Sequence, residues 1–576
     1  MKNQLYLIFS ILCICLCTSA WAQSVQSGNT LEVQITGLPR EPLENALTAL
    51  TNRQKLIKDR FDAAMVMRFY HSIPKEIKAA IAPYGYFKPH IHSYIHRNGH
   101  FWSSRFVVDP GPQMKFTTLD LQITGPGSQN RIFKRLYAKF PVKVGDNFSS
   151  EKYDTAKDEL FTVAQAHGYF RAKMIKSAVY VNLSTYEAHV VIHFATGPRF
   201  YFGKTSFSHT PFNLSFLRRF LRYKQGEHYR QSKVTHTRED LANSNYFQQV
   251  IVTPEPNNAT DLKVPIKVTL NPQPKKQYTF GLGYGTDTGV RGLIGIDYRW
   301  INQWGHRFST YARGSQKNSQ AVISYYIPGH NPATDQFIFT GGYLNQNQIT
   351  GRGNSGRISF IYQTEFFGWQ QSFSLTYLKE RYNLVNLPKT NTTLLYPAYT
   401  IQRIRTDNRL HPKHGYSIVG QIIGASKNVL SKTSFVHTRL DSKFLFTLFN
   451  STRFLIRGTI GHTNITNLVR LPLSLQFFAG GAQSLRGFGY NTIGPGRYIF
   501  VGSFEIQQKI KGNFYLAAFT DFGNVTDDLS GDKLKVGIGP AIVWLSPIGM
   551  FELSVANAIS QPNKPWVIQF SMGPAI

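Results

Sequence analysis

The sequence predicts two fold classes in series: three α+β modules, each ordered strand, helix, helix, strand, strand, and then an all-β transmembrane barrel of about 16 antiparallel strands. Three observations carry that expectation. The first is an echo repeated three times between Leu31 and Leu270. The second is a change after Pro274 to text in which apolar residues alternate with small or polar ones. The third is composition: of 576 residues 14% are aromatic, 46 are glycine and only 17% are charged, a mixture suited to strands and turns. Beyond the leader no apolar run is long enough to cross a bilayer as a helix, so a crossing has to be made by strands closed on themselves. Lysine and arginine number 64 against 32 acidic residues, and 42% of the chain is apolar. That balance excludes an acidic disordered chain.

The elements follow in chain order. Met1-Lys2-Asn3 is short and basic, Leu5 to Cys17 is apolar, and Ala20 and Ala22 precede Gln23 with cleavage-site spacing. This is the layout of a secretory signal peptide over residues 1–22. Cys13, Cys15 and Cys17 all lie in it, so the exported chain is expected to hold no disulfide, thiolate chemistry or cysteine-based zinc site. Export without disulfides suits a bacterial envelope protein.

Leu31-Glu-Val-Gln-Ile-Thr-Gly37 returns as Leu119-Asp-Leu-Gln-Ile-Thr-Gly125. Tyr86-Phe87, Tyr169-Phe170 and Tyr246-Phe247 each close a helical stretch at nearly one period, and proline-marked boundaries follow at Pro110, Pro198 and Pro272. Markers recurring in one order mean copies of one module, placed at 29–113, 114–198 and 199–274. In the second copy Tyr153, Ala156, Leu160, Val163 and His167 share a helical face that ends at Gly168. The alternating stretches Val179–Leu183 and Ala188–Phe194 read as strands. A small sheet with two helices on one face buries these apolar faces and leaves edges on which an extended chain can pair. The Tyr-Phe pairs are expected to plug the module cores.

In the remaining residues, 275–576, Tyr278, Phe280, Leu282 and Tyr284 alternate with Thr279, Gly281, Gly283 and Gly285. Phe551, Leu553 and Val555 alternate with Glu552, Ser554 and Ala556, and Trp566, Ile568, Phe570 and Met572 with Val567, Gln569 and Ser571. One face meets lipid and the other water. At about 18 to 20 residues per strand and turn, the region holds about 16 strands. A soluble β-sandwich would need a second sheet and a buried core; the strand number, the aromatic share and the leader favour the barrel.

The longest glycine-rich break in the barrel, Phe478 to Gly496, contains Leu485-Arg486-Gly487-Phe488. This tetrapeptide resembles the Val-Arg-Gly-Phe/Tyr signature of the superfamily of outer-membrane insertases that join periplasmic POTRA modules to a C-terminal barrel. Gly502–Glu505 and the stretch Phe519–Val525, with Asp521-Phe522-Gly523, resemble the strands that follow it in that superfamily. Three modules and a barrel in this length are similar to its TamA branch, the outer-membrane subunits of the translocation and assembly module, and the resemblance covers essentially all of the chain after the leader. Two departures are visible. Leu485 stands where valine is usual, and the sequence ends Met572-Gly573-Pro574-Ala575-Ile576 rather than on an aromatic residue.

The resemblance implies that this loop folds into the lumen and that Arg486 meets an acidic residue of the inner wall, with Gly487, Phe488 and Gly523 in the same lock. Residue phase permits it: Glu505 is out of step with Phe504 and Ile506, and Asp521 with Leu516 and Phe522, although Phe519 shares the parity of Asp521. A guanidinium gives a carboxylate two parallel donors, which lysine cannot, and Gly487 lets the backbone turn tightly. A lateral seam is implied where the first and last barrel strands meet, at Tyr278, Phe280, Gly281, Gly283, Phe570, Gly573 and Pro574. Glycines and a proline without a ladder donor make it the easiest place to open.

The function so implied is an outer-membrane insertase and translocation factor that assists assembly of autotransporters and other β-barrel proteins. Its expected partners are a TamB-like inner-membrane-anchored periplasmic protein, unfolded outer-membrane protein and autotransporter substrates, and outer-membrane lipid. The alternatives are a two-partner transporter secreting one polypeptide, for which two modules and an N-terminal plug helix are expected, and a role in phospholipid traffic. No cofactor, metal or catalytic residue is expected, since no Gly-x-Ser-x-Gly elbow, phosphate loop or His-Glu-x-x-His occurs. His90, His92, His96 and His100 have ligand-like spacing but stand among Lys88 and Arg97, so an exposed polar sheet face is expected. The charge of +32 comes without a nucleic-acid-binding signature, and lipid phosphates or acidic partners are the expected counterparts.

Overall fold

The computed structural model describes residues 30–57, 62–408, 411–449, 451–528, 533–547 and 549–573. The predicted signal peptide and Pro574 lie outside the described residues. The first module runs strand Thr30–Thr36, helices Arg40–Ile57 and Ala63–Ile81, and strands His90–Asn98 and Phe101–Asp109. The second runs Lys115–Thr124, Arg131–Ala138, Ser150–Ala166, Lys173–Asn182 and Glu187–Ala195, and the third Tyr201–Phe207, Leu214–Arg218, Gln231–Asn243, Phe247–Pro254 and Lys263–Pro272. In each sheet the last strand lies in the middle, the first on one side and the penultimate on the other. The central pairing is parallel with the first strand and antiparallel with the penultimate one in modules one and two.

Local chemistry sets these boundaries. Asp62, Asn130 and Ser149 each cap a helix by accepting a hydrogen bond from a backbone N–H of its first turn, which satisfies a donor the helix itself cannot. Helix Ser150–Ala166 buries Ala156, Leu160 and Ala164 against Val190, Ile192 and Phe194 of the central strand. It stops at Gly168, whose φ of +85° is unfavourable for any residue with a Cβ. The repeated tyrosines Tyr86, Tyr169 and Tyr246 are buried as expected. His90, His92 and His96 are exposed along one face of an edge strand, while Ile91 and Ile95 pack on the module core.

Sixteen antiparallel strands, from Lys276–Gly285 to Trp566–Gly573, form one sheet among the described residues. The alternation holds: Phe280 and Leu282 are 74% and 89% exposed on the outer face, while Glu552, Ser554, Gln569 and Ser571 are buried on the inner one. Lumen hydroxyls pair across strands, as Ser359 does with Thr376 at 2.9 Å. The lining is not polar all round, however. Leu445, Leu455, Ala517, Phe519, Ala541, Val543, Leu545, Met550 and Ala556, all on inward phases, form an apolar cluster, in which inward side chains of neighbouring strands cover one another and exclude water. Thr205–Lys224 and Lys233–Pro254 of the third module belong to the same compact unit as the barrel. In that unit Tyr246 Oη donates to Gly305 O at 2.5 Å and Asn213 N to Gln303 O at 2.9 Å, both in the turn after the second barrel strand.

Candidate functional site

The loop between strands Thr452–Ile465 and Tyr498–Lys511 spans residues 466–497. Its sequence explains why it folds inward. Phe477, Leu485, Phe488 and Ile493 are buried with Ile499, Val501, Val525 and Ala558 of the wall; burying each such side chain is worth about 1.5–3 kcal/mol, and none could be left in water at an extracellular tip without losing it. Phe477 stacks on His437 at 4.5 Å between centroids. It also lies over Gly461, where a Cβ would stand 2.6 Å from the Phe477 ring. Strands Phe477–Ala479 and Ile493–Gly496 pair into a ribbon at the loop's neck. Glu380, 1% exposed on the strand Trp369–Leu384, accepts from Ser474 N at 3.1 Å and Ser474 Oγ at 2.5 Å.

Arg486 sits fully buried at the centre. Its Nε and Nη2 donate to the two oxygens of Asp521, each at 2.8 Å, and its backbone N–H adds a third bond to Asp521 at 2.9 Å. Nη1 donates to Glu505 and to Glu552, each at 2.6 Å, and the guanidinium lies 3.4 Å over the Phe519 ring. Glu505 and Asp521 are both unexposed on the inner wall. So the Phe519 that shares the parity of Asp521 is part of the site: it covers the ion cluster as the apolar lid of a cation–π contact. Three carboxylates face Arg486 together with Arg457, whose Nη2 is 3.9 Å from Asp521. Such a cluster is stable only when every group keeps a partner.

Gly487 has φ +89° and passes so close to the strand Gly549–Asn557 that a Cβ would stand 3.3 Å from the Asn557 carbonyl carbon. Its N–H donates to Gln569 Oε1 at 3.0 Å, and Gln569 Nε2 donates back to Phe488 O at 3.1 Å. Gly523 serves a different need, since a Cβ there would meet Phe500 O at 2.3 Å.

The seam residues occupy the two ends of the sheet. No ladder joins Lys276–Gly285 to Trp566–Gly573 among the described residues. One backbone N–H of the last strand, that of Phe570, reaches across and finds a side chain, Thr286 Oγ1, at 3.1 Å. Tyr278 and Phe280 point outward, 59% and 74% exposed. Gly281 and Gly283 take the inward phase, Gly283 facing Met572 at 3.7 Å from its Cβ position, and Gly573 pairs with Met550.

Sequence reasoning missed four groups that hold the loop: Glu552, Gln569, Glu380 and Asp287. Glu552 and Gln569 carried a signal, being polar residues on the inward phase of the last two strands. Glu380 and Asp287 carried none, for nothing local distinguishes a wall or turn carboxylate that will be reached by Ser474 or Ala482. Asp287 Oδ2 accepts from Ala482 N at 2.7 Å. Desolvation raises the Asp287 carboxyl above its ordinary value, opposed by the Ala482 N–H and by Arg291. Between the first hairpin, the loop and the last strand lies a cavity of about 390 Å³ lined in part by Arg291, Arg313 and Ser571.

Residues 304–576 match the Omp85 superfamily domain, residues 32–110 the first POTRA domain of TamA, and residues 200–273 the POTRA model described as a surface antigen variable number repeat. Among curated relatives, the outer membrane protein assembly factor BamA of Neorickettsia risticii is 21% identical over 388 residues, covering 60% of this chain and 50% of the relative. The chain thus spans about half the length of that relative. Among solved structures, BamA from Haemophilus ducreyi lacking POTRA domains 1–3 is similar with a TM-score of 0.65 and 17% identity, over 79% of this chain and 99% of that one. CdiB from Acinetobacter baumannii follows with a TM-score of 0.50 and 14% identity, over 80% and 90%.

Proposed function

We propose that this chain, an Omp85 superfamily outer-membrane barrel carried behind POTRA modules, is an insertase that assembles other β-barrel proteins through the gap between its first and last strands. One observation carries the reading: among the described residues the barrel's two terminal strands share no ladder, and a buried loop stands behind the gap. Unpaired strand edges are templates for an incoming strand, so the work is done by exchange of backbone hydrogen bonds rather than by covalent chemistry. The edge strands His90–Asn98 and Lys173–Asn182 offer the same chemistry to unfolded substrates before they reach the barrel.

Within the superfamily we favour a TamA-type role, with autotransporters among the substrates and a TamB-like partner. The support is the TamA-type match of the first module, with three modules among the described residues. The two-partner transporter reading draws on the likeness to CdiB. It asks for a lumen that passes a polypeptide, and here the lumen holds a loop tied down by Arg486, Gln569 and Glu380. Oxidising the double variant Gly283→Cys, Met572→Cys in lipid vesicles tests the insertase reading. Assembly of an added unfolded barrel protein is expected to stop when the disulfide forms and to resume on reduction. Equal assembly in both redox states would count against a gate at this seam.

A further inference from the structure

The lumen loop touches both sides of the gap, and it does so unequally. On the side of the last strands it is held by the buried Arg486 cluster and by the paired bonds between Gln569 and the Gly487–Phe488 backbone. On the side of the first strands it has the 2.7 Å bond from Ala482 N to Asp287 and a 3.3 Å bond from Asn318 Nδ2 to Tyr490 Oη. Directly across the gap there is the contact between Phe570 N and Thr286 Oγ1, in the same turn as Asp287. The loop backbone fits this turn closely: Gly481 has φ +101°, and a Cβ on it would stand 2.9 Å from Asp287 Oδ2.

We infer that the loop is the latch of the seam and that Asp287 is its release point, so that opening frees the first hairpin, 276–298, while the loop stays with the last strands. The physical reason is the asymmetry of the two anchorages. Withdrawing Arg486 would strand several fully buried carboxylates, whereas withdrawing the loop from Asp287 lets a partly buried turn carboxylate return to water. Asp287 is thereby a positioning residue: it holds the first hairpin through the loop without meeting any substrate. The inference rests on the proposal that this seam is the gate, and it adds which strand moves and what holds it.

The test uses the full chain in vesicles of phosphatidylethanolamine and phosphatidylglycerol, with hydrogen–deuterium exchange read over residues 276–298 and over 484–488. Asp287→Ala is expected to speed exchange in the first hairpin at least about tenfold, the lower bound of what loss of one hydrogen bond to a charged group is worth, with 484–488 still protected. Asp287→Asn keeps an acceptor for the Ala482 N–H and is expected to exchange like the unaltered protein. Gly481→Ala pushes a methyl group at the carboxylate and is expected to release the same hairpin; it carries the test alone should Asp287→Ala not regain the heat-resistant gel mobility of a folded barrel. Unchanged exchange of the hairpin overturns the latch, as does faster exchange of 484–488 together with it. Faster hairpin exchange without any change in assembly of an added barrel protein leaves the latch standing and overturns the insertase reading.

Discussion

Replacing Arg486 isolates the interaction on which the loop depends. The guanidinium has no exposed surface and donates five hydrogen bonds to side chains: two to Asp521, one each to Glu505 and Glu552, and one to Ser503 at 3.2 Å. Arg486→Met is close in volume yet leaves Asp521, Glu505 and Glu552 with Arg457 as the nearby cation, 3.9 Å from Asp521. Removing one partner from a buried ion pair costs about 3–5 kcal/mol, set against the burial of Phe477, Leu485, Phe488 and Ile493 and the bonds to Gln569 and Glu380 that remain, so the loop is expected to open around residue 486 far more often without being expelled as a whole. Limited proteolysis of the folded barrel in vesicles reads this directly, as a new cleavage between residues 466 and 497. Arg486→Lys restores the charge without the fork. One ammonium cannot span Asp521, Glu505 and Glu552 at once, so it is expected to recover less than half of the protection. Wild-type protease resistance in Arg486→Lys would refute the argument from bidentate geometry, and wild-type resistance in Arg486→Met would refute the lock itself.

Four further outcomes are expected. Glu552→Gln should leave the loop nearly as protected as in the unaltered barrel, because three carboxylates face two guanidinium groups and an amide oxygen still accepts from Arg486; proteolysis compares it with Arg486→Met. Gln569→Leu removes both the acceptor of Gly487 N and the donor to Phe488 O and should cost about 1–3 kcal/mol for the backbone groups left unpaired, seen as a lower midpoint of urea unfolding in vesicles. Gly305→Ala sets a Cβ 2.3 Å from Phe216 at a φ of +75°; exchange of residues 212–220 is expected to quicken while the strands keep their protection. Burial raises the Tyr246 phenol to about 12 from an ordinary value near 10. The folded state therefore keeps a proton that the free phenol gives up, so stability from this contact is complete below about pH 10 and is lost as pH climbs from there through 12. Tyr246→Phe should shrink that alkaline step in exchange of the same residues, Tyr223, also raised to about 12 by burial, supplying the remainder.

Much of this site is visible in one dimension because strand phase is a strict period of two. Phase put Glu505 and Asp521 on the inner wall, and it put Gln569 there too, though without a partner. Gly487 and Phe488 lie in the loop, outside any strand, and entered through the resemblance of their tetrapeptide to the insertase signature rather than through phase. The apolar cluster around Phe519 shows where phase stops being sufficient: inward says which way a side chain points, not whether water or another wall residue waits there.

From composition, periodicity and the threefold echo, the chain determines its modules, its barrel and the inward face of each strand, because these depend on neighbours a few residues apart, whereas the arginine of its loop was marked by the resemblance of Leu485-Arg486-Gly487-Phe488 to the insertase signature. The tertiary structure decided which carboxylates gather at Arg486 from strands up to 66 residues away, and that Asp287 meets Ala482 across 195 residues. It also decided that, among the described residues, the first and last strands end side by side without a ladder. Such meetings are set by barrel closure and by the path of a folded loop, and no local preference of Asp287, Glu552 or Phe570 encodes them.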